Sequence, residues 1–510
     1  MFSVLLRMFI RRKKNKSGLV SIQVIDKSSG KYKLVKTIGS SSNSVELDEL
    51  ESEAVLWIKR QRCLVELDFE HTDNLFELFI GGINQINVFG TELLLGKIFD
   101  AIGFNQIKDE LFRKLVLARL CYPSSKLKTT EYLLRYENYV TDEDKIYRYL
   151  DKLQSKQKRQ VQKISYEHTL GILGGEISIV FYDVTTLYFE IKEEDELRKP
   201  GFSKDGKHQN PQIVLGLLVS TDGYPLAYEV YKGNKYEGDT MLPILNLFKR
   251  KYKLKKLVVV ADAGLLSAKN IESLIKNNYE YILGARIKTE GKAIKEQIAK
   301  LELKNGQTSC IQKDATTKLI VSYSEARAKK DAANRERGVA KLKKSIHSKK
   351  LTKAQINNKG YNKFLALEGE IEVSIDIQKI EEDAKWDGLK GYLTNTSLSE
   401  TEVIKNYNHL WNIEAAFRVS KSDLRIRPIY HQLQRRIEAH ICLCFVAYKV
   451  YKELERQLKE LKVGISPEKA IEIVKTIYCI KAVKPKSKEP FEKILLLTEE
   501  QKLLGKYFGF

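Results

Sequence analysis

The chain has 510 residues, 43% of them hydrophobic and 30% charged, with a formal net charge of +22 and a pI near 9.3. So long a chain is not one core but about two to four domains, and the positive excess points to a polyanionic partner, most simply nucleic acid. No apolar run reaches the roughly 18 residues a membrane span needs, and six cysteines without paired spacing argue for a reducing cytoplasm and against a disulfide framework.

In chain order, the opening MFSVLLRMFIRRKKNK sets apolar residues before basic ones, the reverse of a secretory signal; translation from Met8 in place of Met1 is an alternative start. The stretch SGLVSIQVIDKSSGKYKLVKTIGSS holds two β-rich runs around a KSSGK turn, so residues 1–44 read as a β-hairpin arm. Residues 45–174 read as helical, starting with Leu47, Leu50, Ala54, Ile58 and Leu64 at helical spacing.

The pattern changes near residue 175. ISIVFYDVTTLYF, QIVLGLLVS and PLAYEVYKGN are three successive strands, with TDGYP a tight turn between the second and third. GDTMLPILNLFKRKY is a helix, KLVVVADAG a fourth strand, LLSAKNIESLIKNN a helix and YEYILGARI a fifth strand. Three meandering strands followed by alternating helices and strands predict an α/β fold of ribonuclease-H-like order, a mixed sheet flanked by helices, over 175–286. Residues 287–392 then interrupt it with β-type runs such as KLIVSYSEA and EGEIEVSIDI. Between these lies a basic stretch, helical or mobile, with 13 Lys/Arg against 3 Asp/Glu over 325–363. One long helix is expected over 399–421, within a segment 393–455 that completes the core, and residues 456–510 read as helical.

Asp183 and Asp262 both stand in strand-like apolar runs of this sheet. A buried carboxylate is costly unless it is paired or coordinated, and two that converge raise each other's pKa unless a cation is present. Oxygen ligands with few other donors suit Mg2+ or Mn2+. A third carboxylate, Glu414, lies on the 399–421 helix with Tyr407 and Lys421 at intervals of seven, a spacing that keeps all three on one face; Arg418 is one turn beyond Glu414. Charges at such spacings also decorate solvated faces, but Trp411, Ile413 and Phe417 indicate that this helix packs.

These residues carry a resemblance. FYDVTTLYFE, GLLVSTDGYPLAYEVYKGN, VVADAGLLSAKNI, YNHLWNIEAAFRVSK and RPIYHQLQRRIEAHI resemble the DDE transposases of bacterial insertion sequences over roughly 175–450. Tyr407, Glu414 and Lys421 match that group's Tyr-Arg-Glu-Lys helix signature, whereas Leu410 occupies the Arg position and departs from it. The resemblance implies a ribonuclease-H-like core with a β-rich insertion at 287–392. Asp183, Asp262 and Glu414 would be both catalytic and metal-holding, with two Mg2+ or Mn2+ ions per site. It further implies double-stranded DNA partners, the terminal inverted repeats and the target, with a homodimer in the DNA complex and no membrane or nucleotide partner. Residues 45–174 would bind DNA ends and 456–510 would dimerise.

The expected DNA contacts are Tyr407, stacking on a base or touching a phosphate, with Arg418, Lys421, Arg425, Arg427, Lys341, Lys343 and Lys344. Leu410 is expected to pack with Trp411 and to leave the phosphate to Arg418. No G-x-x-x-x-G-K-[ST] loop is present, so ATP dependence is not expected. His440, Cys442 and Cys444 in HICLC read as core packing ahead of a zinc set, and His431 is left open between DNA contact and helix capping. The competing readings are a DNA-binding derivative without catalysis and a nuclease or resolvase without strand transfer. The expected location is the bacterial cytoplasm.

Overall fold

The computed structural model describes the chain except for residues 1–7, 29, 62–75, 192, 204–205, 266, 349–356, 358–359, 369–371 and 486. Residues 1–7, and with them the reading of the start site, lie outside the described residues. The chain divides into two compact units, 1–85 with 480–493 and 86–479 with 494–510.

In the first unit, strands β1 (Met8–Lys14), β2 (Val20–Asp26) and β3 (Lys33–Ser41) form an antiparallel sheet in the order β1-β2-β3. The expected hairpin is β2–β3, and the basic run before it adds a third strand. Helix α1 (Ser44–Gln61) covers the sheet, burying Leu47, Ala54 and Ile58 against Ile22 and Val24.

The second unit is built around an eight-stranded mixed sheet in the order β10-β11-β14-β9-β8-β5-β6-β7. Its centre is parallel: β5 (Ile179–Tyr188), β8 (Val258–Ala261) and β9 (Glu280–Ala285). β6 (Gln212–Val219) and β7 (Pro225–Lys232) meander antiparallel from β5. This is the ribonuclease-H-like order read from the sequence. Its strands are near-continuous apolar runs because both faces are covered. On one face α7 (Met241–Tyr252) and α8 (Ala268–Lys276) bury Ile244, Phe248 and Leu274 against Val180, Tyr182 and Val259. On the other lie the N-terminal helices α2 (Lys97–Ile102), α3 (Glu110–Cys121), α4 (Lys126–Glu137), α5 (Glu143–Lys152) and α6 (Lys158–Ile172). With these lies a long C-terminal helix, whose Phe445 and Ala447 share a core with Phe181 and Val260.

The insertion joins this sheet. After α9 (Lys292–Ala299), strands β10 (Thr308–Gln312), β11 (Lys318–Tyr323) and β14 (Leu389–Thr394) extend it beyond β9. The basic stretch is mainly one helix, α10 (Glu325–His347), the longest element of the insertion. It packs through Gly338 and Leu342 near a small ribbon of β12 (Leu365–Glu368) and β13 (Glu372–Ile375), followed by α11 (Ile377–Ala384). A side chain at Gly338 would collide with the Tyr361 ring, which fixes the helix's approach.

Two expectations are corrected. The helix over 399–421 is two helices, α12 (Glu400–Asn408) and α13 (Trp411–Ser422). Between them the amides of His409, Leu410, Asn412 and Ile413 bond three residues back, tightening the turn and ending the seven-residue phase that joined Tyr407 to Glu414. The C-terminal residues are not all helical. After α14 (Gln434–Glu460) and α15 (Pro467–Val474), strands β15 (Tyr478–Val483) and β16 (Pro490–Leu495) form a sheet with β4 (Ile83–Val88), itself inside the stretch expected to be helical, before α16 (Glu499–Phe508). Among the described residues no helix is long and apolar enough to cross a membrane.

Candidate active site

The two aspartates are brought together by strand register. β5 and β8 are neighbouring parallel strands in which Tyr182 pairs with Ala261, so Asp183 and Asp262 are the next residues on each. Strand alternation sends both to the face of Phe181 and Val260, toward the C-terminal ends of the parallel strands where α/β sites form. Asp183 is half-buried, and one of its oxygens accepts the Val184 amide at 2.7 Å. Asp262 is exposed, because β8 ends at Ala261 and a short turn follows.

Glu414 comes from α13, which packs on β5 and β6 through Ile413, Ala416 and Phe417. Its side chain is exposed on the first turn of that helix. Among the described residues no three His, Cys, Asp or Glu side chains stand close enough to hold a metal ion. The register thus places Asp183 beside Asp262, and Glu414 is carried to the same sheet by α13.

Tyr407 is not on the outer face where a base would stack. It is 6% exposed, and its hydroxyl donates to Asp262 Oδ1 at 3.1 Å. Room for that hydroxyl is made by Gly284 of β9: a Cβ there would stand 2.4 Å from the Tyr407 oxygen. Burial first, and the Asp262 carboxylate second, push the phenol well above its usual range, so it remains a donor.

Lys390 is a neighbour that the sequence reading missed. It lies on β14, on the face of Tyr392, with its ammonium 4.5 Å from the Tyr407 ring centroid and 5.2 Å from that of Tyr392. Burial and then the Arg327 guanidinium lower its pKa, while Asp262 and Glu414 act against that shift. Both carboxylates thus favour its charged form. The sequence signal was a lone lysine two residues before a tyrosine in an otherwise apolar strand, but only the pairing of β14 with β9 puts it here.

The other expected residues separate into groups. Arg418 is exposed on α13 one turn past Glu414, and Lys421 is half-buried near the end of the same helix. Arg425 is exposed at φ 45°, and Arg427 lies 5.6 Å from the Tyr188 ring centroid. Lys341, Lys343 and Lys344 are exposed on α10. Leu410 is buried, at 7% exposure, in the main core, whereas Trp411 is 58% exposed. His440, Cys442 and Cys444 are buried on α14.

A family model described as a transposase DDE domain matches residues 174–449. No curated protein matches the chain. Among solved structures, a piggyBac transposase synaptic complex with hairpin DNA aligns at 9% identity over 79% of this chain and 78% of that one, with a TM-score of 0.38. A Mos1 transposase paired-end complex with the left transposon end aligns at 14% identity over 33% of this chain and 56% of that one, with a TM-score of 0.16. A pre-cleavage Mos1 transpososome aligns at 15% over 33% and 57%, with a TM-score of 0.15. At these TM-scores the structural likenesses carry no argument of their own.

Proposed function

The chain belongs to the transposase DDE domain family, and from that premise we propose that it cuts and joins the DNA ends of its own insertion sequence. DDE transposases are metal-dependent. The observation that carries the proposal is the register of β5 and β8, which sets Asp183 beside Asp262 at the open end of the parallel strands.

An all-oxygen set of Asp183, Asp262 and Glu414 fits hard divalent cations, and we assign these residues to hold two Mg2+ or Mn2+ ions. When bound, such ions polarise the scissile phosphate and make a water or a DNA 3′-hydroxyl nucleophilic at neutral pH. The chain's own residues prepare that chemistry. Tyr407 fixes one oxygen of Asp262, and the Lys390 ammonium offsets the negative charge of Asp262 and Glu414. Arg418, exposed one turn past Glu414, is placed to take a DNA phosphate, with Lys421, Arg425, Arg427 and the α10 lysines 341, 343 and 344 as further backbone contacts. Residues 45–174 are assigned to DNA-end binding and 456–510 to dimerisation.

The competing reading is a DNA-binding derivative without catalysis. Incubating the protein with duplex DNA carrying the element ends, Mg2+ and a target plasmid separates the two. Nicked ends and joined products support the transposase; retarded but uncut DNA supports the derivative.

A further inference from the structure

Away from the carboxylates, a cavity of about 350 Å3 opens where the Pro123–Ser125 turn at the start of α4 meets the segment between α13 and α14. Its walls carry Arg119, Lys126, Lys128, Arg425 and Arg427, with Glu143 as the one acid among the lining residues. Arg119 and Lys126 are each 6% exposed. Among the described residues no hydrogen bond or ion pair reaches the Arg119 guanidinium or the Lys126 ammonium, whose nitrogens face the cavity.

Two like charges that line one cavity without a partner are costly, and an anion in that cavity relieves both the desolvation and the repulsion. Two histidines also face this cavity. His431 and His440 lie 5.5 Å apart by ring centroids. Burial, with Lys126 and Arg119 next in size, lowers His431 to about 3 and drives His440 well below its usual value. Both rings stay neutral, and His440 donates its Nε2–H to the Ile426 carbonyl at 3.0 Å. The cavity's positive charge therefore comes from lysine and arginine, and burial, then Arg119, lowers Lys126 itself to about 7, so that a bound anion would favour its charged form. The N-terminus of α4, capped by Ser125, adds amide donors at the same wall.

We infer that this cavity is a phosphate-binding site, in which the Arg119 fork and the Lys126 ammonium grip the oxyanion from inside while Arg425 closes on it from the rim. Guanidinium groups match phosphate oxygens in geometry as well as charge. The phosphate is either a free inorganic ion or one phosphodiester of a bound DNA strand. The site does not depend on the strand-cleavage chemistry, because it lies apart from Asp183, Asp262 and Glu414.

The test uses the full-length protein in sodium phosphate and in sodium chloride of equal ionic strength. Phosphate raises the melting temperature of the wild type by about 1–2 °C at roughly ten times its dissociation constant. Lys126→Met removes that difference while filling the same volume. Arg425→Asn, exposed and suited to the left-handed backbone there, weakens it about tenfold in phosphate affinity without touching the core. The salt dependence of DNA affinity then identifies the source. A slope of log affinity on log salt lowered by about one in both variants assigns the site to a DNA phosphodiester; an unchanged slope assigns it to free phosphate. A wild type that shows no phosphate-specific shift and variants that keep its slope overturn the inference. So does a phosphate shift that survives undiminished in both variants.

Discussion

Replacing Tyr407 by Phe removes one hydroxyl and leaves the buried ring in place. That hydroxyl donates to Asp262 at 3.1 Å, a hydrogen bond to a charged acceptor of about 1.5–3 kcal/mol. Asp262 is exposed, so water replaces the lost donor and the folded state loses about 1 kcal/mol or less. The orientation of the carboxylate is not replaced. Strand cleavage is expected to fall about 10–100-fold, the rate equivalent of that hydrogen bond, with DNA affinity unchanged. Gly284→Ala reaches the same bond from the other side, because the new methyl would stand 2.4 Å from the Tyr407 oxygen and displace it. If both act through this one hydroxyl, Gly284→Ala in the Tyr407→Phe background costs much less than in the wild type, since the colliding atom is gone. The assay is single-turnover cleavage of end-containing duplex for wild type, both single variants and the double variant. Wild-type cleavage by Tyr407→Phe, or fully additive losses in the double variant, would refute the positioning role.

The remaining predictions concern other parts of the molecule. Arg418→Ala is expected to slow cleavage about 10–100-fold through loss of a charge-assisted phosphate contact, whereas Leu410→Arg places a guanidinium at a buried core position and lowers stability by several kcal/mol; urea unfolding and cleavage rates check the pair. Neutralising Lys341, Lys343 and Lys344 together should lower the salt slope of DNA affinity by up to about three, and an unchanged slope makes that face of α10 merely solvated. His168, whose side chain is 12% exposed, is lowered to about 4, chiefly by burial and then by Lys449. Its folded pKa is below the unfolded 6.5, so the stability it contributes is complete above that value and is lost as pH falls toward 4. At about pH 5 the loss is ~2 kcal/mol relative to neutral pH, and urea unfolding of His168→Gln should lack that component.

Much of the second unit was legible in the sequence because its signals are local. Apolar runs of strand length, the TDGYP turn and two intervening amphipathic segments gave the order of β5 to β9, whereas the pairing of β5 with β8 comes from the structure. What the sequence could not show depends on distant pairing or on fine turn geometry. β14 belongs beside β9 through the match of Gly391 with Ala285, and without that pairing Lys390 is one lysine among many. The break at His409–Leu410 contains no proline or glycine, so nothing local announced two helices. Its consequence is that Tyr407 turns inward to Asp262. β15 and β16 were missed because their strand signal, YCIKAV and PFEKIL, is mixed with lysines that helices tolerate equally well.

If Asp183, Asp262 and Glu414 hold divalent metal for phosphoryl transfer, exchanging a ligand atom should change which metal supports cleavage. Asp183→Cys and Asp262→Cys exchange a hard oxygen ligand for a soft thiolate, which Mg2+ accepts poorly and Mn2+ accepts better. Cleavage of end-containing DNA by either variant should be lost in Mg2+ and partly restored in Mn2+, while Asp183→Asn and Glu414→Gln stay inactive in both and still bind the DNA. Undiminished cleavage by either cysteine variant in Mg2+, or by the wild type in EDTA, would contradict the assignment.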